Sequence, residues 1–184
     1  MKLTKQWLKN KNACKEGVEW FDKQKNHDDL FLLNELIKEN KLDWANWFIA
    51  HRLQRLKTIQ YAIYAAKQVL PIFEEKYPDD KRPRKAIEAA TKYIKNPTKK
   101  NKEKAYVAAN EAYEAANEVY AAYAAAYAAA WAAARVVARA VADATYAAAD
   151  AVYVATRAVY AAKKQTKIKI LKYGIKLLEN ELPF

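Results

Sequence analysis

The sequence predicts an all-α protein, a compact bundle of short helices followed by long Ala/Tyr-rich helices packed antiparallel. Three observations carry that expectation. Of the 58 residues from Ala105 to Ala162, 29 are alanine, the strongest helix former. The large side chains of the same segment fall at Tyr106, Asn110, Tyr113, Asn117, Tyr120, Tyr123, Tyr127, Trp131, Arg135, Arg139, Asp143, Tyr146, Asp150, Tyr153, Arg157 and Tyr160, which is 15 steps over 54 residues. The mean step is the helical repeat of about 3.6 residues, not the 3.5 of a supercoiled heptad seam. Finally, two glycines and five prolines in 184 residues leave little material for β-turns.

The N-terminal elements follow from apolar spacing and caps. Lys5 to Lys9 is expected as a short helical turn, and Asn12 or Ala13 to Lys23 as a helix carrying Val18, Trp20 and Phe21. After the polar loop Gln24 to His27, Asp28 caps a helix through Lys38, whose Leu30, Phe31, Leu33, Leu36 and Ile37 recur at helical spacing. The next helix starts near Leu42 and places Trp44, Trp47, Phe48 and His51 on one side. Leu56 to Leu70 follows, and Pro71 is read as opening a separate short helix, Ile72 to Lys76, because proline suits a first helical turn.

Pro78 ends that helix, Asp79 or Asp80 is placed to accept from the free amides of the next one, and Pro83 fixes φ in its first turn. The carboxylates of Asp79 and Asp80 and the guanidinium groups of Arg82 and Arg84 are close enough in sequence to satisfy one another. The helix runs to Lys95, Asn96-Pro97-Thr98 breaks it, and Thr98 or Asn101 caps the alanine segment. As one rod, Ala105 to Ala162 would be roughly 87 Å long at about 1.5 Å per residue. That exceeds what a body of this size can cover, so the segment is expected to fold back between Ala128 and Thr145. Beyond Ala162, the spacing of Ile168, Ile170, Leu171, Tyr173, Ile175, Leu177 and Leu178 predicts a last amphipathic helix, with a bend at Gly174. The domain reading is therefore 1–98, a short-helix bundle; 99–162, an Ala/Tyr-rich segment packing on it; and 163–184, a basic amphipathic helix.

Composition narrows the function classes. Residues 1–100 hold 22 lysines and arginines against 13 aspartates and glutamates, a net +9; residues 101–162 are at −1 and residues 163–184 at +4. The basic ends favour anionic partners and also serve solubility. No stretch reaches about 18 strongly apolar residues, and the first residues lack the apolar centre of a secretory signal. The expectation is a soluble cytoplasmic protein with no membrane partner. Cys14 is the only cysteine, which excludes an internal disulfide. No Gly-rich phosphate loop, Cys/His metal spacing or Ser/His/Asp arrangement is present, so neither a cofactor, a metal nor enzymatic catalysis has a handle in the sequence. His27 and His51 read as ordinary half-buried or surface histidines.

The decorated face of the alanine segment is the candidate binding surface: Trp131, Arg135, Arg139, Asp143, Tyr146, Asp150, Tyr153 and Arg157. Tyrosine, arginine and aspartate at helical spacing can hydrogen-bond as well as pack, and the bare alanine face lets another backbone approach closely. Two readings stay open at this point. The charged residues are i, i+4 ladders that knit the bundle together, or the row is a groove where aromatic rings stack on a ligand and arginines hold an anion. Ice binding would need a flat face of small residues and threonine, and a DNA recognition helix would need clustered basic residues; neither pattern is present.

The stretches Leu42-Asp43-Trp44-Ala45-Asn46-Trp47, Tyr61-Ala62-Ile63-Tyr64-Ala65-Ala66 and Tyr77-Pro78-Asp79-Asp80-Lys81-Arg82-Pro83-Arg84-Lys85-Ala86-Ile87-Glu88-Ala89, followed by the alanine-tyrosine helix, resemble the immunity-protein-like helical family of bacteria and phages. The similarity runs from Cys14 to Ala162 and leaves the lysine-rich tail outside. It implies a non-catalytic protein that neutralises a partner by sequestration or occlusion, a bacterial toxin or a defence protein, including a nucleic-acid-associated effector. Two alternatives stand beside it: binding of nucleic acid or an anionic nucleotide through the Tyr/Arg face and basic ends, and a structural helical scaffold built as a homo-oligomer.

Overall fold

The computed structural model describes residues 2–119 and 164–180, and within them the protein is all-α. The helices are α1 (Lys5–Asn10), α2 (Lys15–Asp22), α3 (Asp29–Lys38), α4 (Leu42–Arg52), α5 (Arg55–Lys76), α6 (Arg82–Lys95), α7 (Lys99–Val119) and α8 (Lys164–Glu179). The fold-back expected between Ala128 and Thr145 lies outside the described residues.

Two turns show how a chain with so little glycine reverses direction. Asn12 and Asn40 take positive φ, 55° and 58°. After α1, the Asn12 amide donates to Lys9 O at 3.0 Å and the Ala13 amide to Leu8 O at 2.9 Å; after α3, Asn40 donates to Ile37 O at 3.0 Å and Lys41 to Leu36 O at 2.8 Å. Both are Schellman closures, with asparagine in the left-handed position usually given to glycine because its short polar side chain tolerates that region. At the start of α3, Asp28 Oδ1 accepts from the Leu30 and Phe31 amides at 3.0 and 3.4 Å, as its position before the apolar run predicts.

α5 departs from the expected pair of helices. It runs unbroken through Pro71, so proline does not open a new helix there. Pro71 removes one backbone donor, an interior cost of about 3 kcal/mol. It lies on the exposed side of the helix, where water can take the orphaned Lys67 carbonyl, while Val69, Leu70 and Phe73 beside it are buried in the core. That apolar anchorage on both sides of Pro71 holds the helix together.

α6 and α7 form an antiparallel hairpin across Asn96-Pro97-Thr98. Thr98 Oγ1 accepts from the Asn101 amide at 3.2 Å, and Asn101 Nδ2 reaches back to Asn96 O at 2.8 Å. Ala86, Ile87 and Ala90 of α6 and Ala105, Ala109, Ala112 and Ala115 of α7 are buried, so small side chains let the two backbones pack closely. The decorated row points the other way at its start, with Tyr106 55% exposed.

The C-terminal helix is part of the core. α8 packs against α4 and α5, burying Ile170, Leu171, Leu177 and Leu178. It passes through Gly174 as a continuous helix, and the glycine serves close approach: a Cβ there would stand 2.6 Å from Ile49 Cγ2 and 2.7 Å from Tyr61 Cε2. Tyr61 is itself fixed, fully buried with its hydroxyl donating to Asn46 Oδ1 at 2.8 Å. Burial pushes its phenol strongly upward, so it remains a neutral donor at any physiological pH.

Candidate functional site

An apolar cavity of about 330 Å³ opens among α1, α2, α3 and α4. Leu8 and Leu36, the residues whose carbonyls close the two asparagine turns, both line it. The turns therefore fix how the helix pairs spread. Gly17 leaves its place on α2 without a side chain, and a Cβ there would lie 3.3 Å from Cys14 Sγ.

Three tryptophans shape the walls. Trp20 and Trp44 meet edge to face with ring centroids 6.5 Å apart, and Trp47 meets Trp7 in the same way at 5.9 Å. Trp20 is pinned by its indole N–H, which donates to Glu39 Oε2 at 2.8 Å; the same oxygen accepts from Lys41 Nζ at 2.6 Å. Those donors, Lys41 foremost, hold the Glu39 carboxyl below its ordinary range. Lys41 Nζ also stands 5.7 Å from the centre of the Trp44 ring, a cation–π contact that orients the second wall. The polar groups on the lining are Asn12, Cys14 and Asp43, and Cys14 is exposed. Such a cavity, mostly apolar with a few polar groups at its edge, suits an aromatic or aliphatic group of a partner.

The neighbouring polar pairs support this region. Arg52 Nε donates to the buried Asp29 at 2.6 Å and its guanidinium lies 5.6 Å over the Trp7 ring. Burial raises the Asp29 carboxyl above its usual value, with Arg52 opposing the shift. His51 Nδ1 donates to Trp47 O at 2.8 Å, and burial lowers its pKa, which keeps the ring neutral. Among the described residues no cluster of three or more His, Cys, Asp or Glu side chains could hold a metal ion, and no helix is long and apolar enough to cross a membrane.

The Asp79 to Arg84 element is resolved differently from its sequence reading. Lys81, not Asp79 or Asp80, occupies the N-cap position of α6 and makes no side-chain cap. Asp80 stands one residue earlier; its Oδ1 accepts from the Arg82 amide at 3.0 Å and its carboxylate takes the Arg82 guanidinium at 2.8–3.2 Å. Arg84 turns away to Glu74 on α5, with two contacts of 2.6 Å. A carboxylate two residues from an arginine closes a tight local ring, whereas Arg84, one turn into α6, faces α5 instead. Pro83 is buried in the first turn, as expected. The candidate binding residues Trp131, Arg135, Arg139, Asp143, Tyr146, Asp150, Tyr153 and Arg157 lie outside the described residues.

Sequence reasoning missed the cavity. The available signals were a glycine within α2, tryptophans at 20, 44 and 47, and asparagine at two helix ends.

Fold and cavity together define an all-helical protein with a tryptophan-walled apolar pocket. A family model matches residues 32–177, and the chain belongs to that family, described as a family of unknown function (DUF6931). The matched span takes in most of α3, all of α4 to α7 and most of α8; the cavity walls supplied by α1 and α2 precede it. No curated protein and no solved structure matches the chain.

Proposed function

We propose that this is a non-catalytic binding protein that neutralises a protein partner by occlusion, as the resemblance to immunity-protein-like chains of bacteria and phages implies. The observation that carries the reading is the open cavity walled by Trp20, Trp44 and Trp47. Pockets of about 300 Å³ and larger with apolar walls take single large side chains or small molecules, and aromatic anchors dominate the energy of protein interfaces. An apolar side chain of the partner occupies the cavity. The decorated row from Trp131 to Arg157 is proposed to extend the contact, on the chemistry of its tyrosine, tryptophan and arginine side chains. The partner class is a toxin or a defence protein.

Capture from a host lysate at 0.5 M salt, with bound proteins identified by mass spectrometry, tests the reading. Trp44→Ala, and separately Trp131→Ala or Arg139→Ala, each checked for intact helicity, should weaken recovery of the same protein at least tenfold, about 1.4 kcal/mol. Equal recovery by wild type and all variants would overturn the assignment.

A further inference from the structure

A second surface, sharing no residue with the cavity, joins α5, α6 and α8. Tyr64 of α5 and Tyr173 of α8 stack face to face, with centroids 4.0 Å apart and planes inclined by 15°. Both rings are half-buried, so each keeps part of its surface open to solvent. Two adjoining grooves run along this stack, one past Lys169, Lys172 and Lys176, the other past Lys67 and Lys95. All five lysines are exposed, and no carboxylate lines either groove. Among the described residues none of the five has an ion-pair partner, whereas Lys167, on another side of α8, reaches Asp43 at 3.8 Å.

The arrangement has a direction. Lys169, Lys172 and Lys176 lie at i, i+3 and i+7, one face of a helix, over about 10.5 Å of axis at about 1.5 Å per residue. Ile168 and Ile94 flank the stacked rings and add apolar surface beside the lysines. A line of cations along an aromatic platform matches a strand with a charged backbone and exposed planar bases. A duplex offers the phosphates but buries its bases in the stack, and an acidic protein surface leaves the tyrosine platform without a counterpart.

We propose that this lysine-rimmed groove binds single-stranded nucleic acid, the lysines holding backbone phosphates while bases stack against the Tyr64–Tyr173 pair. The site is sequence-tolerant, because every base has an aromatic face and each groove carries a single side-chain amide, Gln165 in one and Gln60 in the other, too few to read a run of base edges.

Fluorescence anisotropy of the full chain with a labelled single-stranded 12-mer of mixed sequence, titrated across 25 to 200 mM salt, is the test. Changing Lys169, Lys172 and Lys176 together to Gln should weaken binding at low salt at least tenfold. It should also reduce the slope of log K against log salt by about 2, since each phosphate contact on a single strand contributes about 0.7. Tyr173→Leu, checked by circular dichroism, should weaken binding at every salt concentration with the slope kept, and Tyr173→Phe should bind like wild type. The control triple Lys99, Lys100 and Lys102 to Gln, exposed lysines that line neither groove, should leave affinity within twofold. An equal loss in that control, or equal binding of duplex DNA and heparin together with no effect of Tyr173→Leu, would overturn the proposal in favour of a diffuse polyanion surface. No binding at 25 mM salt would overturn it outright.

Discussion

Gly174→Ala puts the seating of α8 to the test. The added Cβ would stand 2.6 Å from Ile49 Cγ2 and 2.7 Å from Tyr61 Cε2, against the 3.4 Å at which ordinary contact begins, so the helices must part by roughly 0.8 Å. Neither neighbour gives way easily. Ile49 and Tyr61 are fully buried, and the Tyr61 hydroxyl is held by Asn46 at 2.8 Å. Overpacking of a filled core costs about 1 to 3 kcal/mol, while replacing a helical glycine by alanine returns up to about 1 kcal/mol. Two contacts below 3.0 Å place the cost in the upper part of that range, about 2 to 3 kcal/mol, and a net destabilisation of about 1 to 2 kcal/mol follows, read as a lower urea midpoint with an unchanged slope. Gly17→Ala is the internal comparison: its Cβ meets only the Sγ of exposed Cys14, at 3.3 Å, and that side chain can rotate. It should be neutral or stabilising. A Gly174→Ala protein as stable as wild type would mean that α8 does not lie against α4 and α5 as described.

Two further outcomes are expected. Asp80→Ala should lower stability by about 1 to 2 kcal/mol, because its half-buried carboxylate serves both the Arg82 amide and guanidinium, whereas exposed Asp79 should be replaceable by alanine within about 0.5 kcal/mol; urea unfolding of the two single variants separates them. Hydrogen bonds from Arg84 hold the Glu74 carboxyl below its ordinary 4.5, and Arg82 likewise holds Asp80 below 3.8. Groups lowered in this way stabilise the fold above their ordinary values and lose that contribution as pH falls through the lowered ones. The stability difference between wild type and Arg84→Met at pH 7 should therefore shrink progressively as pH falls below 4.5 through the lowered Glu74 value. Asp29, raised by burial, acts in the opposite sense and cannot produce that acid loss. A difference that persists unchanged at pH 3 would place the role of Arg84 in its packing rather than its charge.

The helical class and most element ends were legible because they depend on local chemistry. Asp28 capping α3, the Asn96-Pro97-Thr98 break and the end of α6 at Lys95 each follow from a few adjacent side chains. What failed depended on distant partners. Pro71 reads locally as a helix start, yet the burial of Leu70 and Phe73 carries α5 through it. Arg84 reads as a partner for nearby aspartates, yet Glu74, ten residues back, takes it. The last amphipathic helix was legible from its apolar spacing, but not what it packs on: its buried isoleucine and leucines lie against α4 and α5. The cavity escaped notice because a void is defined by what several helices leave unfilled, and tryptophans at helical spacing carry the same pattern whether they fill a core or wall a pocket.

The central claim is that the tryptophan-walled cavity receives an apolar group of a partner protein, and Cys14 allows it to be tested without altering the fold. It is the only cysteine of the chain, it is exposed, and it lines the cavity. Capture of the partner at 0.5 M salt is compared before and after labelling Cys14 with a bulky aromatic maleimide, with Cys14→Ser carried through the same treatment. Loss of at least nine-tenths of the captured partner on labelling, with full capture by treated Cys14→Ser, is the expected result. Undiminished capture by the labelled protein would contradict the account.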